Sequence, residues 1–220
     1  PPQWAQKSHP EEWPERGIDA HESAGIYIGW EQNLDEDIDS CYIYRATWFD
    51  ISDSLGEYQL IAQLDAKSSP TLEFIDLSAV KRIRYYYKLK LEDNAGNKSM
   101  FSESNTYMLI TKVGISTMLP NSHVAILSPD RTLSWIYDLD IAMEDYVITL
   151  VTSDLEFVQR ALLQPGNYFG GRETWNIPDS VQLINGTIYK WRIDTGAEYV
   201  DSRETTGSES KWATFLYWEE

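Results

Sequence analysis

Three aspartates at alternate positions, Asp35, Asp37 and Asp39, offer the kind of hard oxygen ligands that calcium takes. The stretch lacks the glycine and the distal bidentate glutamate of an EF-hand, so a solvated turn between two strands is the preferred reading. Asp93, Asn94 and Asn97 pose the same choice, and a turn is again preferred. Arg82, Arg84, Lys88 and Lys90 form a basic stripe that suits an acidic partner or, more simply, cross-strand ion pairs. Tyr42, Tyr44, Trp48, Phe49 and Tyr86 could offer flat rings to a sugar or pack beneath loops. Glu198, Tyr199, Asp201 and Arg203 lie in a 17-residue stretch, Asp194 to Ser210, read as a loop. Connections that long are uncommon unless they bind something or lack structure. Together with Leu163 to Thr174 it is the expected recognition surface of the second half.

Catalytic chemistry has little to build on. The sequence has no nucleophile elbow, no glycine-rich phosphate loop and no paired histidines, and its carboxylates show no spacing that would set one pKa apart from the next. Three scattered histidines, His9, His21 and His123, argue against a zinc site or a histidine-centred active site. Cys41 is the only cysteine, so no internal disulfide forms, and its phase with Ile43 predicts a buried, unreactive thiol. No enzyme activity, cofactor or bound metal is expected.

The elements that must carry these residues show a period of two. Ile26, Ile28 and Trp30 alternate with Tyr27, Gly29 and Glu31; Cys41 and Ile43 alternate with Tyr42 and Tyr44. Leu72 to Leu77 is a short apolar run. Tyr85, Tyr87, Leu89 and Leu91 interleave with Tyr86, Lys88, Lys90 and Glu92 as far as a turn at Asp93–Asn97. The order then repeats: Leu133 and Trp135, then Tyr146, Ile148 and Leu150, then Tyr189, Trp191 and Ile193. A short helical turn or two is allowed within Ser153 to Leu163. Length supports the duplication, because 220 residues hold two domains comfortably. We expect all-β architecture, with antiparallel sandwiches over 1–111 (core about 15–111) and 112–220.

Both halves are acidic, and the formal charge of −17 disfavours nucleic-acid partners and anionic lipid surfaces. No apolar run reaches the roughly 18 residues of a transmembrane helix. The start at Pro1 without Met predicts trimming that removed a signal peptide or lipid anchor.

The first half resembles the fibronectin type III domains, bacterial members above all, through Gly17-Ile18-Asp19-Ala20, Ile28-Gly29-Trp30, Tyr42-Ile43-Tyr44-Arg45, Tyr85-Tyr86-Tyr87-Lys88-Leu89 and Asp93-Asn94-Ala95-Gly96-Asn97-Lys98-Ser99. The second half resembles them through Leu133-Ser134-Trp135, the L-x-x-G-x-x-Y spacing of Leu183, Gly186 and Tyr189, then Trp191-Arg192-Ile193 and Ser210 to Phe215. A tyrosine so placed turns its hydroxyl back to the backbone upstream and ties the crossing loop to the core. Trp30, Tyr85, Tyr87, Trp135, Leu183, Tyr189 and Trp191 are therefore expected in the core. The resemblance implies a non-catalytic, extracytoplasmic interaction or spacer module, secreted or held at the cell envelope. Its partner would be a protein, or in the alternative reading a carbohydrate.

Overall fold

The computed structural model describes residues 1–6, 16–31, 37–65, 72–137, 145–166, 170–196 and 205–219. The chain divides into two compact units, one comprising Pro1–His21 and Gly25–Leu109, the other Glu22–Ala24 and Ile110–Glu220. Asp35, Glu198, Tyr199, Asp201 and Arg203, singled out above, lie outside the described residues.

The first unit is a sandwich of two antiparallel sheets. One sheet joins β1 (Ile18–His21), β2 (Gly25–Gly29) and β6 (Glu73–Asp76), with β2 in the middle. The other runs in the order β5 (Gln59–Asp65), β3 (Ile38–Phe49), β7 (Arg84–Asp93), β8 (Asn105–Leu109); the two-residue β4 (Ser54–Leu55) folds back on the end of β3. The alternation in β7 sends Tyr85, Tyr87, Leu89 and Leu91 inward, where they meet Ile18, Ile26, Ile28, Trp30, Cys41 and Ile43. Each buried side chain of this size contributes about 1.5–3 kcal/mol. Residues before β1 extend the smaller sheet: the Ala5 N–H donates to the Gly29 carbonyl at 3.1 Å and the Glu31 N–H to the Gln3 carbonyl at 3.0 Å.

The second unit repeats the plan. Its smaller sheet pairs β9 (Thr132–Tyr137) with β12 (Gly171–Asn176). Its larger sheet runs β11 (Phe157–Leu163), β10 (Asp145–Thr152), β13 (Thr187–Gly196), and β13 carries β14 (Thr206–Glu209) and β15 (Ala213–Tyr217) in succession along its other edge. Trp135, Tyr137, Tyr146, Ile148, Leu150, Tyr189, Trp191, Ile193 and Phe215 fill the core, and Leu183 packs against it half-buried.

Two expectations change here. Phe157 to Leu163 is strand β11 rather than a helical turn, because pairing with β10 overrides an apolar spacing that suits either conformation. The stretch Asp194 to Ser210 is strand at both ends: β13 runs to Gly196 and β14 spans Thr206–Glu209, so the connection between them is 197–205. The segment between β11 and β12 is likewise only 164–170.

Both sandwiches anchor the crossing loop with a tyrosine. The Ile184 N–H donates to the Tyr189 hydroxyl at 2.8 Å, and Gly186 makes the intervening bend at φ +78°. In the first unit the Val80 N–H reaches the Tyr85 hydroxyl at 3.2 Å without a glycine at the matching place; Arg82 takes up φ +64° instead. Tyr189→Phe should therefore cost the second sandwich about 1 kcal/mol and Tyr85→Phe less in the first, as denaturant titration of each variant will read.

Cys41 is buried among core residues, and burial pushes its thiol up to about 12. Because the thiolate is the reactive form, labelling of folded protein by a thiol reagent near neutral pH should proceed only at the rate of opening. Rapid labelling without denaturant would contradict this.

Candidate functional site

The side chains with most chemistry gather on the outer face of the larger sheet in the first unit. Register opposes Tyr42 to Lys90 and Tyr44 to Lys88, and since side chains two apart share a face, these four point away from the core together. Residues 99–104 then run along β7 without forming regular strand. The Ser99 and Ser102 N–H groups donate to the Leu91 and Leu89 carbonyls, both at 2.9 Å. The N–H groups of Leu91 and Leu89 donate in return to the hydroxyls of Ser99 and Ser102, at 3.0 and 2.9 Å. Each serine thus makes both halves of a strand pair by itself. Met100 and Phe101 are left projecting outward, 79% and 41% exposed.

Between this segment and β7 lies an open groove of about 570 Å³. Lys88 Nζ sits 4.6 Å from the centre of the Tyr58 ring, and Lys90 Nζ 4.6 Å from that of Phe101, distances at which an ammonium is held by the ring's negative face. The Tyr58 hydroxyl also bonds Ser104 at 2.8 Å, and Tyr44 meets Phe101 edge-on at 86°. Lys98 sits 4.3 Å over the Tyr42 ring and pairs with Glu92 at 3.3 Å. Among the described residues neither Lys88 nor Lys90 has a carboxylate partner.

Arg84, placed with this stripe in the sequence reading, is only 8% exposed, because it starts β7 among packed neighbours; the accessible stripe is Lys88 and Lys90. Tyr42 is buried, its hydroxyl donating to Glu92 at 2.8 Å, and Trp48 and Tyr86 lie 42° apart. These rings form no coplanar platform. Of the aspartates, Asp39 accepts from the Ser40 hydroxyl, and Asp37 uses its backbone carbonyl to accept from the Asn94 N–H at 2.8 Å.

Asp93 is saturated by its own turn. One carboxylate oxygen accepts from the N–H groups of Ala95 and Asn97, the other from the Asn97 amide. Those Asn97 bonds hold its carboxyl below the usual range. Millimolar calcium should therefore leave the melting temperature almost unchanged, since only a ligand that favours the folded state raises it. An upward shift reversed by chelator and removed by Asp37→Ala would establish a calcium site.

Sequence reading missed a further cluster in the first unit. Asp76 ends β6 with its side chain 3% exposed. Its carboxylate accepts from Arg45 Nη1 at 2.7 Å, from the Tyr87 hydroxyl at 2.9 Å, and from the Ser78 N–H and hydroxyl at 3.0 and 2.7 Å. Arg45 also lies 4.6 Å over the Tyr85 ring. Every one of these contacts is internal, so the cluster is architecture, not a binding site.

Strand order and the two crossing-loop tyrosines decide the fold. Each half is an antiparallel β-sandwich of immunoglobulin-like strand order. No protein-family model matches the sequence, and neither does any curated protein. Solved structures that resemble the chain include the chicken interferon gamma receptor alpha chain (10% identity, TM-score 0.35, 98% of each chain). A two-domain fibronectin type III segment of chicken tenascin matches at 10% identity and TM-score 0.32 over 97% of each chain. The FN1-FN3 domains of chicken CNTN1 match at 12% identity and TM-score 0.32, over 100% of this chain and 67% of that one. No helix among the described residues is long and apolar enough to cross a membrane.

Proposed function

We propose that the chain is a non-catalytic protein-interaction or spacer module that works outside the cytoplasm, secreted or held at the cell envelope through a lipid anchor. The observation that carries this reading is the outer face of β3 and β7. There, ammonium groups rest on rings instead of on carboxylates, and Met100 and Phe101 stay exposed beside them. Exposed aromatic and methionine side chains on a rigid scaffold are what protein interfaces favour. The hydroxyls and carboxylates around Asp76 and Asp93, by contrast, are occupied in holding the sandwich and leave nothing poised for proton transfer. The carbohydrate alternative would need flat, parallel rings, and the perpendicular Tyr44–Phe101 pair does not favour it.

A photo-crosslinking side chain placed at Met100 of the full-length protein, in the cells that make it, tests the reading. A discrete adduct with a second protein is expected, and none from the same group at Leu77. Absence of any adduct at Met100 would overturn the interaction role at this face.

A further inference from the structure

We infer that the groove between β7 and residues 99–104 takes an extended acidic segment of a partner protein, with carboxylates at alternate positions bonding Lys88 and Lys90. The inference rests on the interaction reading above and names the partner's chemistry. Lys88 and Lys90 stand two residues apart on one strand face, about 7 Å along the strand, the spacing at which an extended peptide repeats side chains on one side. They are positive groups without carboxylate partners among the described residues, in a chain whose net charge is −17.

The second sandwich shows how the same place looks when it is closed. Its Ile193 N–H donates to the Ser210 hydroxyl at 2.9 Å, just as Leu89 does to Ser102, so Arg192 and Asp194 occupy the positions of Lys88 and Lys90. There Arg192 Nη1 pairs with Glu209 at 2.9 Å, its Nε lies 3.6 Å from Asp194, and the guanidinium stacks 4.9 Å over Trp212. The second sandwich satisfies Arg192 from within; the first leaves two lysines for carboxylates supplied from outside. Met100 and Phe101 add an apolar lip, which suits side chains flanking the acids. Glu103, also on the groove wall, repels an acidic occupant there and so favours its charges at the lysines.

The probe is a blocked Asp-Phe-Asp-Phe-Asp peptide, with its all-Asn counterpart as control, titrated into the whole chain. We expect saturable binding of the Asp peptide that weakens by about tenfold in the K88Q/K90Q double variant and falls as salt rises. The all-Asn peptide should not bind, and the variant's melting temperature should match the parent's. Equal affinity of the double variant for the Asp peptide would overturn the inference. So would the absence of binding at about 1 mM peptide, or a sulfated oligosaccharide binding where the peptide does not. Crosslinking at Met100 that persists in K88Q/K90Q would overturn the acidic-segment assignment while leaving the interaction reading intact. Loss of all crosslinking at Met100 in the parent would remove that reading itself.

Discussion

Asp76→Ala should lower the unfolding free energy of the first sandwich by about 3 kcal/mol, the low end of what removing one partner of a buried ion pair costs. The substitution leaves Arg45, the Tyr87 hydroxyl and the Ser78 hydroxyl without their common acceptor. Arg45 retains some access to water, its side chain being 21% exposed, which keeps the cost at the low end of that range. Tyr87→Phe removes one donor and should cost about 1 kcal/mol.

The pair also has a pH signature. Burial pushes the Asp76 carboxyl up, but hydrogen bonds from Ser78, Arg45 and Tyr87 outweigh it and hold the group below its ordinary value of 3.8. A carboxyl whose folded value is depressed contributes its stability above the unfolded value and loses it as pH falls toward the folded one. Below about pH 4 the parent should therefore lose stability faster than Asp76→Ala does, and the gap between them should narrow. Urea titrations at neutral and acid pH, read by midpoint at constant slope, check both statements. A constant gap across that range would show that folding does not depress the Asp76 carboxyl.

The second large effect is expected at Gly17. This residue has φ +72°, and a Cβ there would lie 2.6 Å from the Gly29 carbonyl oxygen and 2.8 and 2.9 Å from the N and O of Ala5. All three obstacles are backbone atoms, and two of them, the Ala5 N and the Gly29 O, are the donor and acceptor of one hydrogen bond. Relief requires residues 3–5 to leave the sheet, or the Gly29 strand to move while still donating to the Gly17 carbonyl at 2.8 Å. Gly17→Ala should cost about 2–4 kcal/mol, combining left-handed strain with overpacking. Trp4 reports the outcome, since its indole N–H donates to the Glu103 carbonyl at 2.9 Å. If the N-terminal segment peels away, its fluorescence shifts red below the main unfolding transition. An unchanged melting curve and spectrum would mean that the alanine is accommodated.

Strands with a buried face were legible from sequence because alternation survives wherever one side faces a core, as in β7 and β9. Strand β14 was not: Thr206-Gly207-Ser208-Glu209 is buried throughout yet has no large apolar side chain, so periodicity had nothing to register. Strand β12 has only Trp175 buried, and β11 spaces its apolar residues as a helix would. The lysine pair was visible as a basic stripe, but its isolation from carboxylates depends on residues 99–104 bringing Phe101 over it. That arrangement is set by serine hydroxyls whose targets no local pattern announces. Asp76 was hidden for a similar reason. It sits in an apolar run, and only the cross-sandwich approach of Arg45 and Tyr87 makes a carboxylate tolerable there.

The serine-made pairings also bear on how a chain of two like sandwiches avoids confusing them. Neighbouring domains of one fold can misassemble by exchanging equivalent strands while both are still folding. A strand that could be adopted by either host would be uniform, with backbone groups at regular intervals along its length. Here the stretch beside β7 reaches its host through Ser99 and Ser102, and the one beside β13 is interrupted at Ser210 between β14 and β15. Ser102 and Ser210 hold equivalent places in the two segments, and Ser99 adds a second such hydroxyl in the first alone. Ser99 is thus the key particular to the first sandwich, and a segment of the second swapped beside β7 would leave the Leu91 N–H without that acceptor.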